Sequence, residues 1–423
     1  MLLTIREQQE YLKELARSVR ELAATEENEQ KRRLWADHND LKPRRGAPLW
    51  VCPDDDGGWL ELIPPDTLHC ADAELRDLEF ILRKYLYQAE YLKDDFAFEP
   101  RVYFNLPGEY TGVLYGHQEQ TSAWGIPFVK KMAGNTAYHL DKYLKDEADF
   151  ETLIQHEVDF LPDFAERDRL KAKYEEALDG ILSVEFQLPY SVLVQSHLIE
   201  LVHLRGLEDL LYDLYDNEDL LYRALRHMGE SKARLLDKLE REHLLFDNRT
   251  NIYTGSGSLG YTNAPRKRDE DVRLSDMWGF ADAQEFSAVS GEMFERFAIE
   301  NQAIGLNQFG MGCYGCCEPL DNKYDAIFRH LTNVRRLSVS PWSDVPLAAE
   351  RIGNRAVFSW KPNPSRICTG FDDDEILSWL KEVAAQTRDC HIEIILKDIR
   401  TCGGTPQHLM RFIELVNIAF ERV

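Results

Sequence analysis

Apolar residues recur along the chain with two periods, and segments with these two periods alternate. Residues 1–46 and 72–92 carry apolar side chains three and four positions apart among many charged ones, which predicts helices. Short runs rich in β-branched and aromatic residues are typical of strands. Such runs lie at residues 48–52, 101–106, 184–188, 251–254, 276–280, 308–314, 334–339, 356–360 and 391–396.

The alternation becomes regular in the last third of the chain. Strand-like runs there are followed by segments of helical period, at residues 322–331, 345–352, 373–387 and 406–421. Repeated strand–helix units predict a parallel sheet in an α/β protein. About eight such strands fit a (β/α)8 TIM barrel, with residues 1–95 as a helical N-terminal extension and 96–423 as the barrel. A doubly wound open sheet is the alternative.

Charge and composition exclude several classes of protein. Lys and Arg number 50 against 74 Asp and Glu, so the formal net charge is −24. An acidic chain is not expected to bind nucleic acid or an anionic membrane surface. No window offers the roughly 20 apolar residues of a membrane span, and the charged start lacks the apolar core of a signal peptide. We therefore expect a cytoplasmic protein whose eight cysteines are reduced.

Chemically distinctive side chains follow two of the predicted strands. In a (β/α)8 barrel the active site lies in the loops at the carboxyl ends of the strands. The loops after residues 308–314 and 391–396 contain Cys316, Cys317, Glu318, Lys397, Asp398 and Cys402. Because a barrel brings such loops together, we expect Cys316 or Cys317 to meet Cys402 beside Glu318. Thiolates with a carboxylate are zinc ligands, and unrelated buried thiols are the alternative.

A glycine-rich stretch, residues 255–260, matches the bare glycine pattern of dinucleotide-binding loops. The residues after it do not begin a helix, and the Lys of a P-loop is missing. The pattern therefore favours a close approach of the backbone to a substrate. An ordinary flexible loop is the alternative.

Five segments of the C-terminal half carry a family likeness: residues 253–262, 275–282, 315–320, 337–342 and 402–406. In this order they resemble the uroporphyrinogen decarboxylase superfamily, and within it the corrinoid-linked methyltransferase branch. Methyltransferases of that branch hold zinc with a His-x-Cys motif after one strand and with a Cys in a final Cys-Gly loop. Cys402 and Gly403 match the final loop. The first motif departs, because Tyr314 or Gly315 stands where the histidine would be.

The resemblance implies an enzyme that moves a methyl group between a small methylated substrate (ether, amine or thiol) and cobalamin on a small corrinoid-binding partner protein. One zinc ion per chain would polarise the substrate or activate a thiol, and its implied ligands are Cys316, Cys317, Glu318 and Cys402. The implied catalytic groups are Glu318, Lys397 and Asp398. The implied substrate pocket is lined by Tyr253, Tyr261, Trp278, Tyr314 and Trp360. A homodimer is an expected assembly.

Two other functions stay open. A metal-free lyase of the decarboxylase type would act on a polycarboxylate through basic groups, at residues 266–268 or at Lys361, Lys397 and Arg400. A barrel kept as a non-enzymatic binding subunit would present residues 1–46 to its partner. That subunit would have no pocket at the barrel mouth.

Overall fold

A computed structural model of the protein describes residues 4–43, 46–115, 120–129, 131–133, 137–139 and 141–421. Strands in these residues form one large sheet and four pairs. They are β1 (Leu49–Pro53), β2 (Arg101–Asn105), β3 (Gly108–Tyr110), β4 (Ser122–Ala123), β5 (Ile126–Pro127), β6 (Lys131–Ala133), β7 (Ala137–His139), β8 (Phe160–Pro162), β9 (Ser183–Gln187), β10 (Trp278–Ala281), β11 (Met311–Tyr314), β12 (Val334–Val339), β13 (Val357–Trp360) and β14 (His391–Ile399). The large sheet has six parallel strands in the order β1-β14-β13-β12-β11-β10.

Helices separate the parallel strands along the chain. In the described residues they are α1 (Ile5–Ala23), α2 (Glu26–Asn39), α3 (Gly58–Leu62), α4 (Ala73–Tyr87), α5 (Glu147–Ile154), α6 (Phe164–Leu178), α7 (Tyr190–Leu193), α8 (His197–Arg205), α9 (Leu207–Asp216), α10 (Glu218–Arg241), α11 (Gly291–Phe294), α12 (Glu300–Leu306), α13 (Tyr324–His330), α14 (Val345–Ile352), α15 (Ser365–Cys368), α16 (Asp373–Gln386) and α17 (Gln407–Ala419). None of these helices is long and apolar enough to cross a membrane.

The strands of the large sheet are buried, which explains their continuous apolar runs. Every residue of β10 and β13 is buried, and so are Leu337 and Val339 in β12 and residues 394–396 in β14. A parallel sheet is covered on both faces, so its strands lack the alternation of a half-exposed strand. The α/β class and the parallel sheet predicted from the sequence are therefore confirmed.

The parallel strands do not form a closed barrel of eight, so that part of the prediction is wrong. Six strands belong to the large sheet, and β2 and β9 form a separate parallel pair. Side chains occupy both edges of the large sheet. At β1, the carboxylates of Asp95 and Asp94 accept hydrogen bonds from the Leu49 and Val51 N–H groups, each at 2.7 Å. At β10, the Asn248 amide bonds both backbone groups of Trp278, at 2.9 and 3.0 Å.

Two local predictions also differ from the structure. Residues 251–254 are not a strand of the sheet, because this segment folds back on itself: Thr254 N–H donates to the Ser258 carbonyl at 2.9 Å, and Tyr253 forms an isolated antiparallel bridge with Leu259. Residues 1–46 are largely helical, as predicted, and they divide into α1 and α2 because the Thr25 hydroxyl caps the start of α2. The strand β1, which the sequence placed in the N-terminal extension, pairs with β14 in the large sheet.

Candidate active site at the carboxyl ends of the strands

Two neighbouring thiols and a lysine meet where β11 and β14 end. Gly315 follows the last residue of β11 with a φ of +88°, which turns the chain sharply and places Cys316 and Cys317 at the strand end. The Cys316 Sγ lies 3.5 Å from the Cys317 Sγ and 3.5 Å from the Lys397 Nζ. Lys397 is a late residue of β14 and its side chain is buried. The sequence prediction that these two loops converge holds for this part of the site.

The neighbours of Cys316 favour its thiolate form. The hydrogen bond from the Cys317 thiol lowers the pKa of Cys316 to about 5; burial opposes this effect, and the Lys397 ammonium adds to it. The pKa of Cys317 is raised for the complementary reason, because its proton is shared with the Cys316 sulfur. Burial alone would lower the pKa of Lys397, but the acidic groups around it, Tyr253 and Cys316 among them, raise it. Thiolates are the nucleophilic form of cysteine.

Asp398 is the solvent-exposed member of this cluster. One oxygen of its carboxylate lies 3.7 Å from the Cys317 sulfur, and the other lies 3.3 Å from the Lys397 ammonium. Its backbone has a φ of +58°, in the left-handed region that few residues other than Gly adopt. Such strain at the end of a buried strand is typical of functional positions.

Glu318 bonds the backbone of the loop that carries the two cysteines. Its side chain is buried, and it accepts hydrogen bonds from the N–H groups of Ala283 and Cys316, both at 2.9 Å. Burial, followed by the nearby Cys316, raises the pKa of Glu318. Both carboxylate oxygens are therefore engaged by the backbone, so the side chain orients the loop that carries Cys316.

Cys402 is not brought to the other predicted zinc ligands. It is buried, with its thiol 4.0 Å from the carbonyl of Gly58 and its N–H bonded to the Glu61 carboxylate at 2.8 Å. Burial raises the pKa of Cys402 to about 12, and Glu61 and Cys368 add to this. Among the described residues, no group of three or more His, Cys, Asp and Glu side chains is arranged to hold a metal ion. In this arrangement the four residues do not fit a zinc ion.

A cavity of about 650 Å³ opens beside this cluster, at the carboxyl ends of β1 and β14. Aromatic rings form one wall: the Trp50 ring lies 5.6 Å from that of Phe96 and 5.9 Å from that of Tyr253. Asp398 and residues 54–56 also line the cavity, together with two cations, Lys84 and Arg400. Tyr253 also lines a smaller cavity of about 60 Å³ towards β10.

The five aromatic residues predicted for the pocket divide into two groups. Tyr253 lines the large cavity, and Trp278 shares only the small one with it. The other three are buried in packing. Tyr261 donates to Glu99 at 2.8 Å, Tyr314 donates to Gln302 at 2.7 Å, and the Trp360 ring lies 5.0 Å from that of Trp379.

The sequence reasoning missed the contribution of β1. Trp50 and residues 54–56 lie within residues 1–95, the predicted N-terminal extension, although they line the cavity. The signal was present, because a short apolar run followed by charged residues is also the pattern of a barrel strand and its active-site loop. Only the pairing of β1 with β14 distinguishes the two interpretations.

Beneath the thiols lies a buried network of charges. The Arg336 guanidinium and the His38 ring lie 3.0 and 3.3 Å from the Glu393 carboxylate. Burial would raise the pKa of Glu393, but these two partners lower it to about 2. Lys361 donates to the Gly257 carbonyl at 3.1 Å, and burial lowers the pKa of Lys361 to about 7. Through the bond from Lys361 to the Gly257 carbonyl, this network stabilises the conformation of the glycine-rich loop, residues 255–260.

Comparisons with known proteins assign no family. No family model matches the chain, and no curated protein matches it. Among solved structures, a methyltransferase from Methanosarcina mazei aligns with 92% of this chain and 98% of its own, at 12% sequence identity and a TM-score of 0.47. A likeness of this degree assigns neither an activity nor a substrate to the chain.

Proposed function

We propose that this protein is an enzyme that transfers a methyl group, and that Cys316 is the nucleophile that accepts it. The observation that carries this proposal is the Cys316 sulfur set between the Cys317 thiol and the Lys397 ammonium, each at 3.5 Å. A thiolate is a good nucleophile for a carbon that bears a leaving group. The cavity beside the cluster has the volume and the largely apolar walls of a small-molecule site.

The proposed step involves one bond made and one broken. The Cys316 Sγ attacks the methyl carbon of the donor, so that a sulfur–carbon bond forms as the bond from this carbon to its heteroatom breaks. The electron pair of the broken bond stays on the heteroatom. A second nucleophile then attacks the same carbon, and Cys316 leaves as a thiolate, which Lys397 and Cys317 stabilise again.

The zinc ion and the corrinoid partner stay predictions from the family resemblance. Because Cys402 lies apart from Cys316 and Cys317, the proposed step uses the sulfur directly and no metal. Metal analysis of the purified protein tests this choice. About one zinc per chain that is lost in Cys402→Ser would contradict it and would favour the four-ligand site.

The polycarboxylate lyase receives no support from the charges of the cavity. Four aspartates and two cations, Lys84 and Arg400, line it, which gives a formal charge of −2. A substrate with several carboxylates would need the opposite sign. A non-enzymatic subunit is expected to have no pocket at the ends of the strands. The cavity of about 650 Å³ at this position disagrees with that expectation.

The experiment follows a deuterated methyl group. The protein is incubated with trideuteromethyl ethers, amines and thiols, with free cob(I)alamin as the acceptor probe, and mass mapping locates any label on the chain. We expect label on Cys316, and transfer to cob(I)alamin that falls by about 10³-fold or more in Cys316→Ser. Cys390→Ser, at a thiol near the Ala349 carbonyl, is the matched control and should retain activity. Transfer without any label on Cys316, and at an unchanged rate in Cys316→Ser, would refute the assignment.

A further inference from the structure

The large cavity has the features of a site for a cation that cannot donate hydrogen bonds. Its aromatic wall is continuous: the Tyr85 ring lies 5.7 Å from that of Phe96, which contacts Trp50, which in turn contacts Tyr253. The faces of such rings carry negative electrostatic potential and attract cations, and clusters of them bind quaternary ammonium groups.

The cavity is lined by more carboxylates than cations. Arg400 is bonded to Asp54 at 3.0 Å and to Asp56 at 2.8 Å, and Lys84 is bonded to Asp55 at 2.6 Å. Both cations that line the cavity are therefore already neutralised. Asp398 is the fourth carboxylate, and the formal charge of the lining is −2.

We propose that this cavity binds a methylated onium group, a nitrogen or sulfur that carries a permanent positive charge. The inference rests on the proposed function and names its class of methyl donor. Each carboxylate of the lining already contacts a cation: Asp398 lies 3.3 Å from Lys397, and the other three are bonded to Arg400 and Lys84. An amine would have to compete with these cations for acceptors of its N–H groups, whereas an onium centre has no N–H group to satisfy and gains from aromatic faces and a negative field.

The chemistry of the thiolate fits the same donor. When Cys316 attacks an onium methyl group, the heteroatom leaves as a neutral amine or sulfide that requires no proton. The sulfur–carbon bond forms, the heteroatom–carbon bond breaks, and the electron pair neutralises the cation. Two opposite charges thus become two neutral groups, which a site shielded from water favours.

Binding is measured by calorimetry with choline and with its uncharged isostere, in which carbon replaces the nitrogen. The protein carries Cys316→Ser, so that no transfer accompanies binding. We expect choline to bind about 10-fold more tightly than the isostere. Tyr253→Leu should remove most of this preference, and Tyr212→Leu, at an exposed tyrosine of α9, is the matched control. Asp398→Asn is a second variant that reduces the negative charge without removing a ring.

The binding measurements test the onium site independently of the methyl transfer. Equal binding of choline and its isostere, or preferential binding of a carboxylate such as succinate, would overturn the onium site. Tetramethylammonium and trimethylsulfonium, compared in the same way, distinguish a nitrogen from a sulfur centre. If onium ions bind but no donor labels Cys316 in the wild-type protein, the proposed function fails while the site stands.

Discussion

Replacement of Lys397 by Gln tests whether the ammonium group sets the reactivity of Cys316. The two atoms lie 3.5 Å apart, and Gln keeps a side chain of similar length without the charge. We expect the pKa of Cys316, which is about 5 in the native arrangement, to rise. The thiol should then need a higher pH to react with an electrophile.

The magnitude follows from the distance. Two unit charges 3.5 Å apart interact by about 5 kcal/mol at an effective dielectric constant of about 20, which corresponds to about 3.5 pKa units. Access of solvent to the site reduces this value, so we expect a rise of about 1.5 to 3 pKa units. The Cys317 hydrogen bond, the largest cause of the low pKa of Cys316, remains in this variant.

The assay is alkylation by iodoacetamide, followed by peptide mass mapping at a series of pH values. Only Cys316 should react at about pH 6, because the pKa values of the other seven thiols are raised. Burial raises the pKa to about 12 in Cys52, Cys70 and Cys402 and to about 11 in Cys368 and Cys390. Burial also raises the pKa of Cys313, and the hydrogen bond with Cys316 raises that of Cys317. Lys381→Gln, at an exposed position of α16, changes the net charge equally and is the control. A midpoint for Cys316 that is the same in Lys397→Gln and in the wild type would refute the electrostatic argument.

Three further predictions concern the same region. Cys317→Ala removes the largest cause of the low pKa of Cys316, so the alkylation midpoint of Cys316 should rise by at least as much as in Lys397→Gln, about 1.5 to 3 pKa units; Cys317→Ser keeps a donor and should shift it by less than half as much, and equal shifts in the two Cys317 variants would contradict this role. The pKa of Lys361 is lowered to about 7 from 10.5, so above the lower value the unfolded chain binds more protons and stability rises with pH. Between about pH 7 and about pH 9, denaturant titration should therefore find the wild type gaining about 2 kcal/mol relative to Lys361→Met; parallel curves would be inconsistent with a neutral buried lysine. Asn248→Leu leaves both backbone groups of Trp278 unpaired, and the free energy of unfolding should fall by about 2–4 kcal/mol; an unchanged value would mean that the edge of β10 has another partner.

The regular part of the fold could be predicted because its signals are local. The run 334–339 is β12 to the residue, and the predicted strand 391–396 needed only extension to Ile399. The run 251–254 also contains β-branched and aromatic residues but folds back, because Thr254 pairs with Ser258 inside its own loop. The sequence could not predict that the sheet stays open. Its edges are bonded by Asn248, Asp94 and Asp95, which are polar residues that no apolar pattern reveals.

The candidate site was predictable where residues directly follow a strand. Cys316 and Lys397 lie within two residues of the ends of β11 and β14. Because β12 and β13 lie between these strands, the expectation that they meet came from the curvature of a barrel and not from strand pairing alone. Cys402 lies three residues beyond β14. Over that distance the direction of the loop depends on a distant contact, the bond from its N–H to Glu61. No local signal in the sequence contains that information.

The side chains at the two edges of the large sheet also bear on aggregation. An uncovered edge of a β-sheet recruits strands from other chains and can lead to ordered assemblies. Here Asp94 and Asp95 already bond the backbone of β1, and Asn248 bonds that of β10. A second chain would have to displace a carboxylate or an amide before it could add a strand. The bonded edges therefore disfavour strand addition by a second chain, although the sheet is not closed.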